Sequence, residues 1–254
     1  QVPPALPARV APEDVSPSPP PPPVSGGTLL STRHGRLVAG DELTGRLYVV
    51  DPDRAVVTGV VELPAGATPG RMAEDADGLV HVVLRGTAEL ARVDPAAPAL
   101  LDRSAPCAAP RGVAFDDVRG LLHVACAGGE LVSMSTAHEV VRERLLDPDL
   151  RDVVAQGDRL YVTRFRSAEL FVLDADGALL ARTGPPEQRF FGVDPPAVSA
   201  PRVAWRMRAS EGGGVIVTHQ QQVATNLGPL AASTRSGGTS YYVDRPRFDL
   251  DLPI

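Results

Sequence analysis

The stretch GDRLYVTRFRSAELFVLD (157–174) contains two short runs of alternating apolar residues separated by a polar turn. Alternation with a period of two is typical of a half-buried β-hairpin. The same spacing returns without a gap in RLVAGDELTGRLYVVD (36–51) and LVHVVLRGTAELARVD (79–94), and both of these segments end in Val-Asp. Three hairpins in one register predict a repeated structural unit.

The repeat can be followed along the chain by the second strand of each unit. This strand has the sequences RLVAGD (36–41), LVHVVL (79–84), LLHVAC (121–126), RLYVTR (159–164) and VIVTHQ (215–220). The spacing is about 40 residues, the period of a four-stranded propeller blade, until the segment GPPEQRFFGVDPPAVSAP (184–201), which we interpret as an insertion. We therefore predict an all-β propeller with four clear units and a partial fifth, a set that forms a closed ring or part of a larger, seven-bladed one. A β-sandwich is the alternative, but it does not require this regular return.

Composition agrees with many short strands joined by tight turns. The chain has 254 residues, 43% of them hydrophobic and only 4% aromatic, with 24 Gly and 26 Pro. Such a chain is large enough to bury a substantial core. We interpret residues 1–25, which are rich in proline, as a disordered tail or tether. Residues 26–254 are assigned to the propeller, regular to about residue 222 and irregular over 223–254.

Charge and residue usage exclude several functions. The formal net charge of −6 disfavours nucleic-acid and anionic-membrane binding, which both select basic surfaces. All 25 basic residues are Arg, so lysine-based covalent catalysis is excluded. No apolar run reaches the roughly 18 residues needed to span a bilayer.

The two cysteines, Cys107 and Cys126, are expected to form one disulfide. Cys107 precedes the first strand of the third unit, and Cys126 ends the strand paired with it, so both arrive at the same edge of a sheet. Neither lies in a CxxC pattern of a zinc or haem site. The chain begins at Gln1 without Met, from which we expect a processed precursor or a trimmed chain. Together with the cysteine pair, this predicts a periplasmic or extracellular protein.

The repeat resembles a known family. RLYVTR (159–164) and ELFVLD (169–174) are similar to the repeats of YVTN-type bacterial β-propellers. SGGTLLSTRHGRLVAGD (25–41) and LRDVVAQGDRLYVTRFRSAEL (150–170) resemble extracytoplasmic propellers joined to di-haem peroxidases of the cytochrome c peroxidase and MauG type. This resemblance implies a di-haem peroxidase-type protein partner, or a chain that supplies the remaining blades. The sequence has no CxxCH motif, so any haem is expected in the partner and no cofactor in this chain.

Arginines recur at the start of the strand that lines the channel of a propeller. Counting along the hairpins places Arg71 opposite Leu84, Arg111 opposite the end of LLHVAC (121–126), and Arg151 opposite Thr163 or Arg164. A partial ring near one mouth of the channel is therefore predicted from four residues: Arg71, Arg111, Arg151 and Arg202. Such a ring could bind an anion or an acidic partner. The structural alternative is pairing with nearby carboxylates such as Glu74, Asp116, Asp152 or Glu169.

Other residues add to this predicted surface. Arg164 and Arg166 extend the same rim, with Phe165 between them. His219 occupies in the last unit the position of Arg164, whereas His81 and His123 share the repeat position of Tyr161, which favours packing. No nucleophile, zinc-protease or phosphate-loop motif is present in the sequence. We therefore expect a binding or scaffold module without catalytic activity of its own; the alternative is a propeller enzyme or metal-binding oxidoreductase with His219 at the channel mouth.

Overall fold

The computed structural model describes residues 28–190 and 197–223, and every regular element within these ranges is a β-strand. The predicted tail at 1–25 and the predicted irregular segment from residue 224 onward lie outside the described residues. The strands form five antiparallel sheets, each called a blade and numbered in chain order.

The first four blades have four strands each. The first contains β1 (Leu29–Ser31), β2 (Leu37–Asp41), β3 (Arg46–Asp51) and β4 (Val56–Glu62). The second contains β5 (Pro69–Glu74), β6 (Val80–Leu84), β7 (Glu89–Asp94) and β8 (Ala99–Ser104). The third contains β9 (Pro110–Asp116), β10 (Leu121–Cys126), β11 (Glu130–Ser135) and β12 (Val140–Leu145). The fourth contains β13 (Leu150–Gln156), β14 (Arg159–Arg164), β15 (Leu170–Asp174) and β16 (Leu179–Thr183).

The fifth blade has three strands, β17 (Gln188–Phe190), β18 (Ala197–Ala209) and β19 (Val215–Val223), in the order β17-β18-β19. The segment 184–201 was expected to be an insertion between units. Instead it supplies β17 and the first residues of β18. Its prolines at 185 and 186 precede β17, and Pro201 lies within β18, so the proline content concealed a strand pattern without preventing strand pairing.

In each four-stranded blade, spatial order follows chain order, and every neighbouring pair is antiparallel. The prediction of an all-β propeller with four full units and a partial fifth is confirmed by this arrangement. Alternation within the strands explains it: each sheet has an apolar face that a single blade cannot cover, and stacked blades cover one another.

The hydrophobic core is divided into clusters between successive blades. Val38 and Leu47 of the first blade pack with Val82 and Leu84 of the second, and all four side chains are fully buried. Equivalent clusters join the second blade to the third, the third to the fourth, and the fourth to the fifth, where Met207 packs near Tyr161 and Val172. The second and third strands supply much of each interface, and inner-strand residues such as Val113, Val153 and Met207 contribute as well.

Aspartates form several of the hairpin turns. Asp116 Oδ1 accepts hydrogen bonds from the amides of Val118 and Arg119 at 2.9 and 3.1 Å. Asp174 Oδ1 accepts from Asp176 and Ala178 at 2.9 and 2.8 Å. These local bonds stabilise the tight turn before the next strand begins.

The predicted disulfide between Cys107 and Cys126 is present, with Cα atoms 6.4 Å apart. It joins the segment before β9 to the end of β10, and Cys126 is fully buried in the cluster between the second and third blades. A disulfide is compatible with the predicted periplasmic or extracellular location. Within the described ranges, no helix is long and apolar enough to cross a bilayer.

Candidate binding site at the channel mouth

The first strands of the second, third and fourth blades lie side by side with β18 of the fifth blade. Together these strands line an open cavity of about 190 Å³. Apolar side chains such as Met72, Val113 and Phe115 line it together with the charged side chains of Asp152 and Arg206. The four strands therefore surround a common axis, as inner strands of propeller blades do.

Every one of these inner strands contains a β-bulge at the same level. Two residues face one residue of the neighbouring strand: 70–71 face Val83, 111–112 face Ala125, 151–152 face Thr163, and 205–206 face Thr218. We call the two residues of each pair the first and second bulge positions. The first positions hold Gly70, Arg111, Arg151 and Trp205, and the second hold Arg71, Gly112, Asp152 and Arg206.

The bulges correct the predicted register of Arg71, whereas Arg151 lies opposite Thr163 and Arg111 opposite the end of β10, as predicted. Pro69, not Arg71, pairs with Leu84, and Pro110 pairs with Cys126. Arg111 and Arg151 thus share the first position, whereas Arg71 occupies the second position and is not their equivalent. A bulge adds one residue to a strand and bends it, and alternation of side chains in the sequence does not reveal it.

Arg202 is also displaced from its expected place in the ring. It pairs with Gln220, two residues before Ala204, and the first bulge position of its blade belongs to Trp205. Its guanidinium Nε donates a hydrogen bond to the side-chain oxygen of Gln222 at 3.2 Å. Strands β18 and β19 continue past the level at which the other inner strands begin, and Arg202 lies on that exposed continuation.

The second bulge positions form a buried network that joins three blades. Arg71 Nε lies 3.4 Å from Asp152 Oδ1, and both side chains are largely buried. Arg71 also donates to the carbonyl oxygen of Trp205, and the amide of Met207 donates to Asp152 Oδ2 at 2.8 Å. Burial raises the pKa of Asp152 despite nearby Arg71, and burial lowers the pKa of Arg71 despite the same pair. This network ties the second blade to the fourth and fifth.

A second, smaller space lies next to this network, at the end of the blades where the inner strands begin. Four arginines surround it, and its volume of about 30 Å³ is that of about one water molecule. We call it the arginine pocket; its lining residues are Arg71, Arg85, Arg111, Arg151, Glu42, Thr28 and Gly70. Arg85 follows β6 and forms an ion pair with Glu42 of the first blade. Arg85 lies against Gly70, where a Cβ would be in ordinary van der Waals contact, 3.4 Å from its Nε.

Aromatic contacts hold Arg151 in the pocket. Its guanidinium carbon lies 4.9 Å from the ring centre of Phe165, a cation–π geometry. The Phe165 ring meets the Trp205 ring edge-on, with centroids 6.0 Å apart and an angle of 83° between the planes. Trp205 in turn accepts the hydrogen bond of Arg71 through its carbonyl oxygen. The pocket is therefore fixed by contacts that run from the fourth blade to the fifth and back to the second.

Positive charge in the arginine pocket is incompletely neutralised. Among the described residues, Arg111 and Arg151 make no ion pair with a carboxylate, whereas Arg71 and Arg85 have Asp152 and Glu42. The Nε atoms of Arg85 and Arg151 are buried without a hydrogen-bond partner in that part of the chain, whereas the Nε of Arg71 faces Asp152. Burial, with the charges of Arg71 and Arg85, lowers the pKa of Arg151. The pocket therefore combines excess positive charge with buried guanidinium N–H donors that have no acceptor among the described residues.

The remaining predicted residues lie at the rim or beyond it. Arg164 Nη1 donates to Glu169 Oε2 at 2.9 Å and its Nε donates to a backbone carbonyl, so it is engaged in its own blade. The amide of Arg166 donates to Asp149 Oδ2 at 2.9 Å, and no ion pair of its guanidinium is found among the described residues. His219 lies on the exposed continuation, with Nδ1 3.1 Å from the carbonyl oxygen of Gln220.

The histidines at the shared repeat position are buried, as expected for packing. His81 Nε2 lies 2.9 Å from Asp75 Oδ2, and its Nδ1 lies 2.9 Å from Nε2 of His138. His123 Nδ1 lies 2.9 Å from Ser133 Oγ. Over residues 28–190 and 197–223, no three His, Cys, Asp or Glu side chains are grouped in a way that could hold a metal ion.

Sequence analysis did not identify Arg85 and Trp205 as parts of the site. Arg85 follows the second strand of its unit at the position that Phe165 takes in the fourth blade. Extending the repeat alignment by one residue past LVHVVL (79–84) would have placed it beside the inner arginines. Trp205 could not be found in this way, because its place depends on the bulges in β18.

Comparison with known proteins identifies the fold but no family. No protein-family model matches the chain, and no curated protein matches it. Among solved structures, Kuenenia stuttgartiensis hydrazine synthase is similar with a TM-score of 0.57 and 17% identity, covering 75% of this chain and 65% of that chain. A streptogramin B lyase structure has a TM-score of 0.58 and 12% identity, with coverage of 78% and 70%. Staphylococcus aureus virginiamycin B lyase has a TM-score of 0.54 and 13% identity, with coverage of 67% and 60%.

Identities this low support the β-propeller fold alone, since one fold carries many functions. The chain spans 65% of the length of the hydrazine synthase chain and 60% of that of the virginiamycin B lyase chain. The fold prediction is thus supported by both the sheet arrangement and these neighbours.

Proposed function

We propose that this chain is an extracytoplasmic binding or scaffold module that docks a protein partner at the mouth of its channel. One observation carries the proposal: a chain with net charge −6 gathers four arginines around one pocket, two of them without a carboxylate partner among the described residues. Concentrated charge of one sign at a narrow opening attracts and orients an acidic partner. The pocket and the exposed side chains of Arg166 and Arg202 form the proposed contact surface.

The partner we propose is a redox protein of the di-haem peroxidase type. The support for this choice is the resemblance of residues 25–41 and 150–170 to propellers joined to such enzymes. In this proposal the partner holds the haem, and the propeller orients it through charged loops.

The test is the composition of the complex isolated from the native source. Intact mass, solution mass and the visible spectrum of the purified material should show a second chain with covalently attached haem. Reversing one rim charge, Arg166→Glu, should weaken retention of that chain, whereas Arg54→Glu, on an exposed turn of the first blade, should not. A protein that purifies alone, with no haem absorbance, would contradict the proposal.

A further inference from the structure

The arginine pocket has the features of a binding site for one small group. Its space of about 30 Å³ is far below the 300 Å³ or more of a typical cofactor or drug-sized site. Because the space is open on one side, it can admit an oxygen atom of an oxyanion while the rest of the group lies in the opening. Its size is therefore compatible with a small anionic group.

The charges around this space also favour an anion. The pocket holds four guanidinium groups, against which stand the carboxylates of Glu42 and Asp152. Two positive charges are thus left without a counter-charge among the described residues, on Arg111 and Arg151. A guanidinium group presents a planar fork of N–H donors that matches the oxygens of carboxylate and phosphate.

Donor geometry points in the same direction. Two Nε–H groups, on Arg85 and Arg151, are buried without a partner among the described residues, whereas the Nε of Arg71 faces Asp152. A buried donor without an acceptor is costly, and both arginines line the same small space. An oxyanion in that space would supply the missing acceptors for both donors at once.

Three of the four pocket arginines are held by other side chains before any ligand arrives. Phe165 holds Arg151 by the cation–π contact, and Asp152 and the carbonyl of Trp205 hold Arg71. Glu42 holds Arg85. Donors fixed in advance lose little conformational entropy when they bind.

We propose that the arginine pocket binds a single oxyanion group, a carboxylate or a phosphate, between the side chains of Arg85, Arg111 and Arg151. This inference refines the proposed docking function, since it names the chemistry of the contact, but binding of a small anion to the isolated protein requires no partner. Its failure and the failure of docking are therefore separate results.

The test is calorimetric titration of the isolated protein at constant ionic strength with inorganic phosphate and, separately, with succinate. Binding of either should be saturable, and preference between them identifies the phosphate or the carboxylate as the better fit. Arg151→Gln should weaken binding about tenfold or more, the expected loss for a charge-assisted hydrogen bond. Arg54→Gln, which removes one exposed positive charge elsewhere, should leave it unchanged.

Arg111→Gln serves as a second variant, because Arg111 makes no ion pair or hydrogen bond with the described residues that its loss would break. It too should weaken binding about tenfold while the circular dichroism spectrum stays that of the parent. Absence of saturable binding to both anions would overturn the proposal. Equal weakening by Arg54→Gln, or equal competition by chloride at the same ionic strength, would show general charge screening and overturn it as well.

Discussion

Removing the carboxylate of Asp152 should destabilise the protein more than its single ion pair suggests. Asp152→Ala takes the counter-charge from Arg71, 3.4 Å away, and the acceptor from the amide of Met207, 2.8 Å away. The side chains of Asp152 and Arg71 are only 5% and 11% exposed, so water does not replace the lost contacts. Breaking a buried pair in this way typically costs about 3–5 kcal/mol. We expect a loss of about 4 kcal/mol in the free energy of unfolding.

Urea unfolding monitored by circular dichroism measures this loss, provided the m-value stays constant. Asp152→Asn should lose less, because the amide oxygen can still accept from Met207. The double variant Arg71→Met with Asp152→Leu should be more stable than the two single changes predict, since neither charge remains buried alone. Asp158→Ala is the control: its side chain is 81% exposed, so it should change stability by less than about 0.5 kcal/mol. If Asp152→Ala lies within 1 kcal/mol of that control, or if the double variant is additive, the network does not join the blades as argued.

Three further predictions concern stability. Replacing Cys107 and Cys126 by Ser removes a link across 19 positions and should lower the free energy of unfolding by about 3 kcal/mol in the chain-entropy model, measured in urea; no change would contradict a closed disulfide. Gly112→Ala would place a Cβ 2.9 Å from two backbone atoms of the fourth blade and should cost about 1–3 kcal/mol, whereas Gly212→Ala, with nothing within 4 Å, should be near neutral by thermal melting. Burial, with the charge of its histidine neighbour, lowers the pKa of His138 to about 4, so the unfolded chain binds more protons below pH 6.5; stability should be full above about pH 6.5 and fall toward pH 4, and His138→Gln should flatten that slope in melting temperature against pH.

The fold was predictable from sequence because its signals are local. Alternating strands, Asp turns and a period of about 40 residues specify a blade without knowledge of its neighbours. RLYVTR (159–164) forms β14 over the same six residues. The fifth blade was harder to predict, because β17 has only three residues and because two prolines come directly before β18 in the sequence, where they suggest a loop.

The candidate site was predictable only in part, because it depends on registry between strands. The sequence placed Arg111 and Arg151 together by simple counting, and both line the arginine pocket. It treated Arg71 as their equivalent, yet one bulged residue moves Arg71 into the network with Asp152. A shift by one residue moves a side chain to the other face of a strand, so a counting error of this size gives Arg71 a buried partner, Asp152, that Arg111 and Arg151 do not have.

The two bulge positions explain how a repeated backbone produces a single asymmetric site. At the second position, Arg71 and Asp152 neutralise each other, and Gly112 allows the third blade to approach the backbone of the fourth. At the first position, Arg111 and Arg151 line the pocket and have no carboxylate partner among the described residues. Arg71 lines both the arginine pocket and the larger cavity between the inner strands, so its ion pair with Asp152 lies between the two. Substitutions at second positions should therefore act on stability, and substitutions of the first-position arginines should act on anion binding with the fold intact.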